Sequence, residues 1–392
     1  MHNRYHSGVP SGENQVVDFE IEALRAAGVD VISYIRSSDE IDAMGLRKKL
    51  GVPFQPIHSS QSVSQVIALV QQHRPDVLHL HNPYPLISLS VVRAAHHNGV
   101  PVIQTVHNHR HSCVRGSYFR DGHSCLECEQ KKLPWPAVVH GCYRDSRLQS
   151  AVMVTALRAH RRDQSSVDQY IALSESIAQS LGASGWVEPG RIIVRPNSVP
   201  DPGPPSPAGT GLLFIGRLTE EKGVPLLIEA WRRSNKTFGT LTFVGEGPAR
   251  AMVQAEADRP ESRVVYVGRL DGEGVSSALS ASAALVVPST APEALPLVVL
   301  EAFAHGRPVL ASNSGGLASV VDSSVGWLST TSATALAGTL DLAGAADDLV
   351  GLGRSARHRY ETQFAPSVVI AQQIQIYRDV IAEAARTRAE DQ

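Results

Sequence analysis

The sequence predicts an α/β protein of two domains, each built on a doubly wound parallel sheet. Short apolar runs such as Asp76-Val77-Leu78-His79-Leu80, Pro101-Val102-Ile103-Gln104-Thr105-Val106 and Arg191-Ile192-Ile193-Val194 alternate with helix-length segments through both halves. Crossover helices that cover a parallel sheet produce this pattern. With 392 residues, 43% apolar and 5% aromatic, the chain can bury two separate cores. Between the halves, Pro200-Asp201-Pro202-Gly203-Pro204-Pro205-Ser206-Pro207-Ala208-Gly209 can neither pair into a sheet nor continue a helix. The domains are placed at 1–200 and 201–370, with a terminal helical segment at 371–392. Ligands of such sheets bind at the carboxyl ends of the strands, so a cleft between two facing domains is the expected site.

The formal charge of −2 carries no nucleic-acid signature. Residues 1–200 are mildly basic (+3) and the remainder acidic (−5). The short clusters Arg47-Lys48-Lys49 and Arg158 to Arg162 read either as solvated surface or as a peripheral contact with an anionic membrane. No apolar run approaches the roughly 18 residues of a spanning helix, and the polar start MHNRYHSG does not read as a signal peptide. The expectation is a cytoplasmic protein.

In the second half, Leu212-Leu213-Phe214-Ile215 is a strand that turns at Gly216 into Arg217-Leu218-Thr219-Glu220-Glu221-Lys222-Gly223. This turn holds two cations five positions apart, either solvated or suited to a diphosphate. Leu241 to Val244 precede the turn Gly245-Glu246-Gly247, and Val264-Val265-Tyr266-Val267 ends at Gly268. Ala284 to Val287 form a further strand that Pro288 to Pro292 break; Pro296 then suits the first position of a helix ending near His305. Glu293 falls in that loop and Glu301 on the helix. The free N–H groups around Leu295, Pro296, Leu297 and Val298 favour an anion such as a pyrophosphate. Leu297, Leu300 and Ala304 make the helix mostly buried, where a carboxylate without a partner is costly.

Together, the Arg217/Lys222 turn, the Glu293/Glu301 pair and the Gly245-Glu246-Gly247 turn resemble the donor domain of glycosyltransferase family 4, of GT-B fold. The resemblance implies two Rossmann-like domains and a last helix crossing back to the first. It implies that Arg217 and Lys222 bind the donor diphosphate, that Glu301 bonds the ribose hydroxyls, and that Glu293 holds hydroxyls of the transferred sugar. Val267 and Gly268 fall where the family's backbone meets the base. His107, emerging after Val106, corresponds to a histidine near the sugar, or else satisfies a loop carbonyl; His79 and His81 flank another strand end. Gly12, in Ser11-Gly12-Glu13-Asn14, resembles the family's glycine-rich turn near the phosphates.

Three departures stand out. The chain opens at Met1 without the usual apolar first strand, so the first sheet is expected to be incomplete or to begin near Val29 to Tyr34, and a longer version should be more stable. The usual Gly-Gly is Ser11-Gly12, and Ser319 stands after Gly315-Gly316 where a glutamate is frequent.

All four cysteines, Cys113, Cys125, Cys128 and Cys142, lie within thirty residues. A Cys-x2-Cys pair with two outlying thiols is the pattern of a structural zinc site. Unliganded thiols, disulfides or an iron–sulfur cluster are the alternatives, and His109, His111, His123 and His140 are candidate substitute ligands. The segment 107–147 reads as an insertion that needs such a staple.

The function expected is retaining, metal-independent transfer of a hexose from a nucleoside diphosphate sugar, UDP or GDP, to an acceptor hydroxyl. The leaving phosphate would take the acceptor's proton, and Arg217 and Lys222 would stabilise charge. A nucleotide-sugar epimerase of the same architecture is the rival, and a non-catalytic sensor the third reading.

Overall fold

Residues 1–8, 11–129 and 131–390 are described by the computed structural model. One unit comprises Met1–Tyr118, Cys125–Pro196 and the chain from Ile370; the other comprises Phe119–Ser124 and Asn197–Val369. Asp391 and Gln392, at the end of the terminal segment, lie outside the described residues.

In the first unit, β1 (His2–Arg4) pairs in parallel with β2 (Ile35–Ser37). A four-stranded parallel sheet contains β3 (Leu78–Leu80) and β4 (Val102–Val106). After the small hairpin of β5 (Phe119–Arg120) and β6 (His123–Ser124), β7 (Gln169–Ala172) and β8 (Ile192–Val194) complete the order β3-β4-β7-β8. The helix Gly12–Ala26 starts where the Ser11 side chain accepts from the Asn14 amide, and it buries Val16, Val17, Glu20 and Leu24 along one stripe. Leu24 packs with Ile103 and Ile171 of the sheet and with Ile370, Ile376, Tyr377 and Val380 of the helix Pro366–Glu390. That helix therefore supplies part of this unit's core.

Two expectations about the start of the chain need correction. His2–Arg4 do form a strand although they are polar, because Asn3 is bonded through both main chain and side chain: Asn3 N–H donates to the Asn82 carbonyl (2.8 Å), and Asn3 Oδ1 accepts from Leu86 N–H (3.0 Å). Pairing also begins after the predicted Val29–Tyr34, at Ile35, since the ladder opens with His2 N–H donating to the Tyr34 carbonyl.

Beside the antiparallel β5–β6 hairpin, the second unit holds a six-stranded parallel sheet: β9 (Leu212–Ile215), β10 (Leu241–Val244), β11 (Val264–Gly268), β12 (Ala284–Val287), β13 (Val309–Ser312) and β14 (Gly326–Ser329), in spatial order β11-β10-β9-β12-β13-β14. The central strands Leu212–Ile215 and Ala284–Val287 read as continuous apolar runs, while the edge strand Val264–Gly268 leaves Val265 and Val267 exposed. Leu212, Phe214, Leu241 and Phe243 share a core with Leu227, Ile228 and Trp231 of the helix Val224–Arg233 and with Leu336 and Leu340 of the helix Ala333–Gly344. Trp231 is fully buried, and its indole N–H donates to the Ser262 carbonyl (2.7 Å).

No helix among the described residues is long and apolar enough to cross a membrane. Of the basic clusters, Arg47 and Lys49 stand beside the exposed Leu46, Leu50 and Phe54.

The turn into the helix Val224–Arg233 has one steric requirement. Gly223 adopts φ +74°, and a Cβ built there would lie 1.9 Å from the Pro288 carbonyl oxygen, whereas Gly239, at φ +82°, has nothing within 4 Å. Gly239→Ala is expected to carry only the left-handed penalty of about 1–2 kcal/mol. Gly223→Ala should cost clearly more in urea unfolding; equal losses would show that the Pro288 loop yields freely.

Candidate functional site

The strand order of the second unit reverses between β9 and β12, and the crevice outside the carboxyl ends at such a point is where doubly wound sheets bind ligands. Both sequence-predicted loops leave the sheet here. The Glu221 carbonyl accepts from the Thr290 and Ala291 amides (3.0 and 3.2 Å), and the Thr290 hydroxyl donates to the Glu220 carbonyl (2.8 Å). On this frame Lys222 Nζ donates to Glu293 Oε1 at 2.5 Å, and the Ser289 hydroxyl donates to the same oxygen at 2.6 Å. Burial pushes the Glu293 carboxyl up, but the Lys222 ammonium and these two hydrogen bonds outweigh it and hold the group ionised, below the usual carboxylate range. Arg217 is half-exposed, donates to Glu221 (2.6 Å) and also lies within electrostatic range of Glu293.

Glu293 is held from behind by its own backbone. Its carbonyl accepts from the Gly316 amide (2.7 Å), and Gly315, at φ +57°, lies so close that a Cβ would stand 2.6 Å from that oxygen. The helix Leu297–Ala304 follows. Pro296 is its N-cap, in extended conformation, and not its first helical residue as expected; no side chain caps the helix, so the N–H groups at Leu297 and Val298 keep the anion-binding character of a helix start. Glu301 lies on this helix, its carboxyl pushed up by burial. Val267 and Gly268 end β11; Gly268 is joined to the site through its carbonyl, which accepts from Gly245 N–H (2.8 Å), while Gly216 N–H donates to the Val244 carbonyl (3.1 Å). Ser319 turns back on the Gly316 carbonyl (2.8 Å). Reading the sequence missed Ser289 and Glu221, which carry no pattern of their own.

In the first unit Gly12 opens the helix Gly12–Ala26. His107, just past β4, pairs its Nε2 with His81 Nδ1 at 2.9 Å and stacks on that ring. Burial, then the neighbouring positive charges, push both histidines well below the ordinary value, so they are neutral at pH 7. They line a cavity of about 50 Å³ with Glu13, Tyr84 and Arg110. Behind it, Arg195 donates to Glu20 at 2.7 Å. Burial raises the Glu20 carboxyl, but Arg195 and His79 outweigh it and the net shift is down. Glu20, His79 and His81 place donor atoms within 4.8 Å of one another. Both nitrogens of His79 are nevertheless engaged, by the Tyr377 hydroxyl (2.7 Å) and Thr105 Oγ1 (2.8 Å), so the trio reads as a satisfied polar network.

The four cysteines all belong to the first unit. The Cys128 thiol is pushed up to about 11, by burial first, with Cys113, Cys142 and Cys125 adding to the rise. Among the described residues no three of these sulfurs come within 4.8 Å of one another. His123 is exposed and bonds the Asp121 carbonyl through Nδ1, while His140 faces Glu127 at 3.3 Å.

Two family models match the chain: "Glycosyltransferase Family 4" over residues 10–201 and "Glycosyl transferases group 1" over 209–342. Glycogen synthase of Mycobacterium tuberculosis is 30% identical over 256 residues, 63% of this chain and 54% of that protein. The phosphatidyl-myo-inositol mannosyltransferase of the same organism is 28% identical over 193 residues, 46% and 50% of the two chains. The chain thus spans about half the length of the curated relatives it matches. Among solved structures, sucrose-phosphate synthase of Thermosynechococcus elongatus is similar with TM-score 0.68 at 22% identity, over 98% of this chain and 96% of that one. HepE of Anabaena, in complex with UDP, is similar with TM-score 0.63 at 15% identity, over 97% and 100%. With both sheets taken in by the two family models and this fold shared with those structures, the chain belongs to the family 4 glycosyltransferases of GT-B fold.

Proposed function

We propose that the chain moves a hexose from a nucleoside diphosphate sugar to an acceptor hydroxyl, with retention at the anomeric carbon. The observation that carries this reading is the Lys222–Glu293 pair, set beside an uncapped helix start at the switch point of the second sheet. A diphosphate needs cations and N–H donors, and a sugar needs a fixed carboxylate; this arrangement offers all three within one loop frame. Solved complexes of HepE with UDP and UDP-glucose support a uridine donor.

In this reading Arg217 and Lys222 neutralise the diphosphate as the bond from the anomeric carbon to the phosphate oxygen breaks. The acceptor oxygen bonds to that carbon on the same face and passes its proton to the departing phosphate. Glu293, kept ionised, accepts from sugar hydroxyls. Neutral His107 offers a hydrogen bond to the sugar, and Glu301 meets the ribose. The cations supply the charge stabilisation that needs no divalent metal.

Arg217→Ala and Lys222→Ala are each expected to lower kcat/KM by about a hundredfold or more, the scale of a lost transition-state charge contact. Near-normal turnover in both would reject the donor site. Glu301→Gln should instead weaken UDP binding more than turnover at saturation, because its contact is remote from the reacting carbon; unchanged UDP affinity would remove Glu301 from the site.

We further read Cys113, Cys125, Cys128 and Cys142 as the ligands of a structural zinc. The support is the Cys-x2-Cys pair with two outlying thiols within thirty residues, the electrostatic influence of the other three on Cys128, and the absence of long apolar periodicity between His107 and Arg147. Sulfurs about 2.3 Å from one ion would close to mutual contact. Elemental analysis of protein purified under reducing conditions should find about one zinc per chain; no metal together with four titratable thiols would overturn the assignment.

A further inference from the structure

A second cavity in the first unit, of about 270 Å³, is lined by three arginines that the donor chemistry leaves unused. Arg110, Arg115 and Arg144 share its wall with Tyr5, Tyr84 and Tyr143. The one carboxylate among its lining residues is Asp145, which is almost fully exposed and 3.9 Å from Arg115. Glu13, nearby, accepts from the Tyr5 hydroxyl (3.1 Å), and burial pushes its carboxyl up to about 7 even against the pull of Arg110. Near neutral pH the cavity therefore carries a clear positive excess.

Two donors in it lack acceptors. Tyr84 is 6% exposed, yet its hydroxyl finds no partner among the described residues, and the same holds for the buried Nε of Arg110. Buried donors without a protein acceptor are costly, and at a cavity wall they are open to bonding by water or by a ligand. Tyr84 and Arg110 also line the smaller cavity that holds His107 and His81, so the two spaces share a wall.

The cysteine-bearing segment supplies the other two arginines at matching spacing, in Cys113-Val114-Arg115 and Cys142-Tyr143-Arg144. Arg144 and Asp145 both adopt left-handed backbone, φ 54° and 52°, at a cost that the surrounding hydrogen bonds must offset. The Ser146 amide donates to the Tyr143 carbonyl (3.2 Å), and the Tyr143 amide donates to Ser150 Oγ (2.9 Å). This left-handed turn carries Arg144 at the cavity wall.

We propose that this cavity binds an anionic group of the acceptor, a carboxylate or a phosphate, through Arg110, Arg115 and Arg144, with the Tyr84 hydroxyl as a further donor. Planar guanidinium groups match two-oxygen anions in bidentate fashion. The volume sits near the low end for small-molecule sites, enough for one charged sugar or phosphate group. The assignment rests on reading the chain as a transferase and narrows its acceptor to an acidic one.

The test is calorimetric titration of the full chain, in saturating UDP, with D-glucuronate, inorganic phosphate and D-glucose in turn. UDP affinity is measured first, so that a wild type unable to bind UDP strikes the donor-site reading and not this one. In the wild type an anion should bind and glucose should not, glucuronate or phosphate according to the source of the charge. Arg144→Gln and Arg115→Gln should each weaken that anion about tenfold, as expected for a lost charged hydrogen bond, while a melting transition unchanged from the wild type reports that each variant is folded. Glucose binding as tightly as both anions, binding of neither anion, or anion affinity unchanged in both variants would overturn the proposal.

Discussion

The second unit depends on how closely two loops approach at the carboxyl edge of its sheet. The turn after β9 and the break after β12 are bonded backbone to backbone, and the approach is so tight that Gly223 touches the Pro288 carbonyl. This contact brings residues 71 positions apart in sequence to 2.5 Å as Lys222 and Glu293. A salt bridge between flexible surface side chains contributes little. Here both chains are largely buried and their loops fixed, so the pair is a preorganised charge array and not an incidental one. The acidic partner keeps Lys222 in place, and Gly315 and Gly316 lock Glu293 from the other side.

The first unit works by a different rule. Its strand ends carry histidines, and a cluster of buried polar groups replaces part of the apolar core. His79, His81, His107, Glu20, Arg195 and Tyr377 are linked by hydrogen bonds and ion pairs. Burial strips the protons from the imidazoles, which leaves neutral hydrogen-bonding groups facing the small cavity. A neutral imidazole can both donate and accept a hydrogen bond, which suits a polar, uncharged cavity wall.

Much of this was legible in the sequence. The alternation of apolar runs reads as parallel sheets, which both units contain, and glycine with paired Arg and Lys after a strand marks the loop of Lys222; the Pro/Gly stretch from Pro200 lies inside the second unit, which takes up the chain again at Asn197. Long-range pairing was harder to read. Nothing near Lys222 names Glu293 as its partner, because strand order is set by packing across the sheet. Ser289, Glu20 and Arg195 were missed since each is an ordinary polar residue whose role appears only once it is buried against a distant charge. Polar His2–Arg4 did not look like a strand for the same reason: their hydrogen bonds come from residues near position 82. Pro296 shows the limit of local rules, as it caps the helix where its type suits the next position.

In the proposed donor site Lys222 and Glu293 act as one unit. A double-mutant cycle on UDP-sugar binding tests it most directly, with affinities measured for the wild type, Lys222→Ala, Glu293→Gln and the double variant. Two residues in contact should show a coupling of roughly 0.5–3 kcal/mol, the double variant losing much less than the two single losses combined. Strictly additive losses would mean that the two act independently, and unchanged affinity in all three variants would place the donor elsewhere.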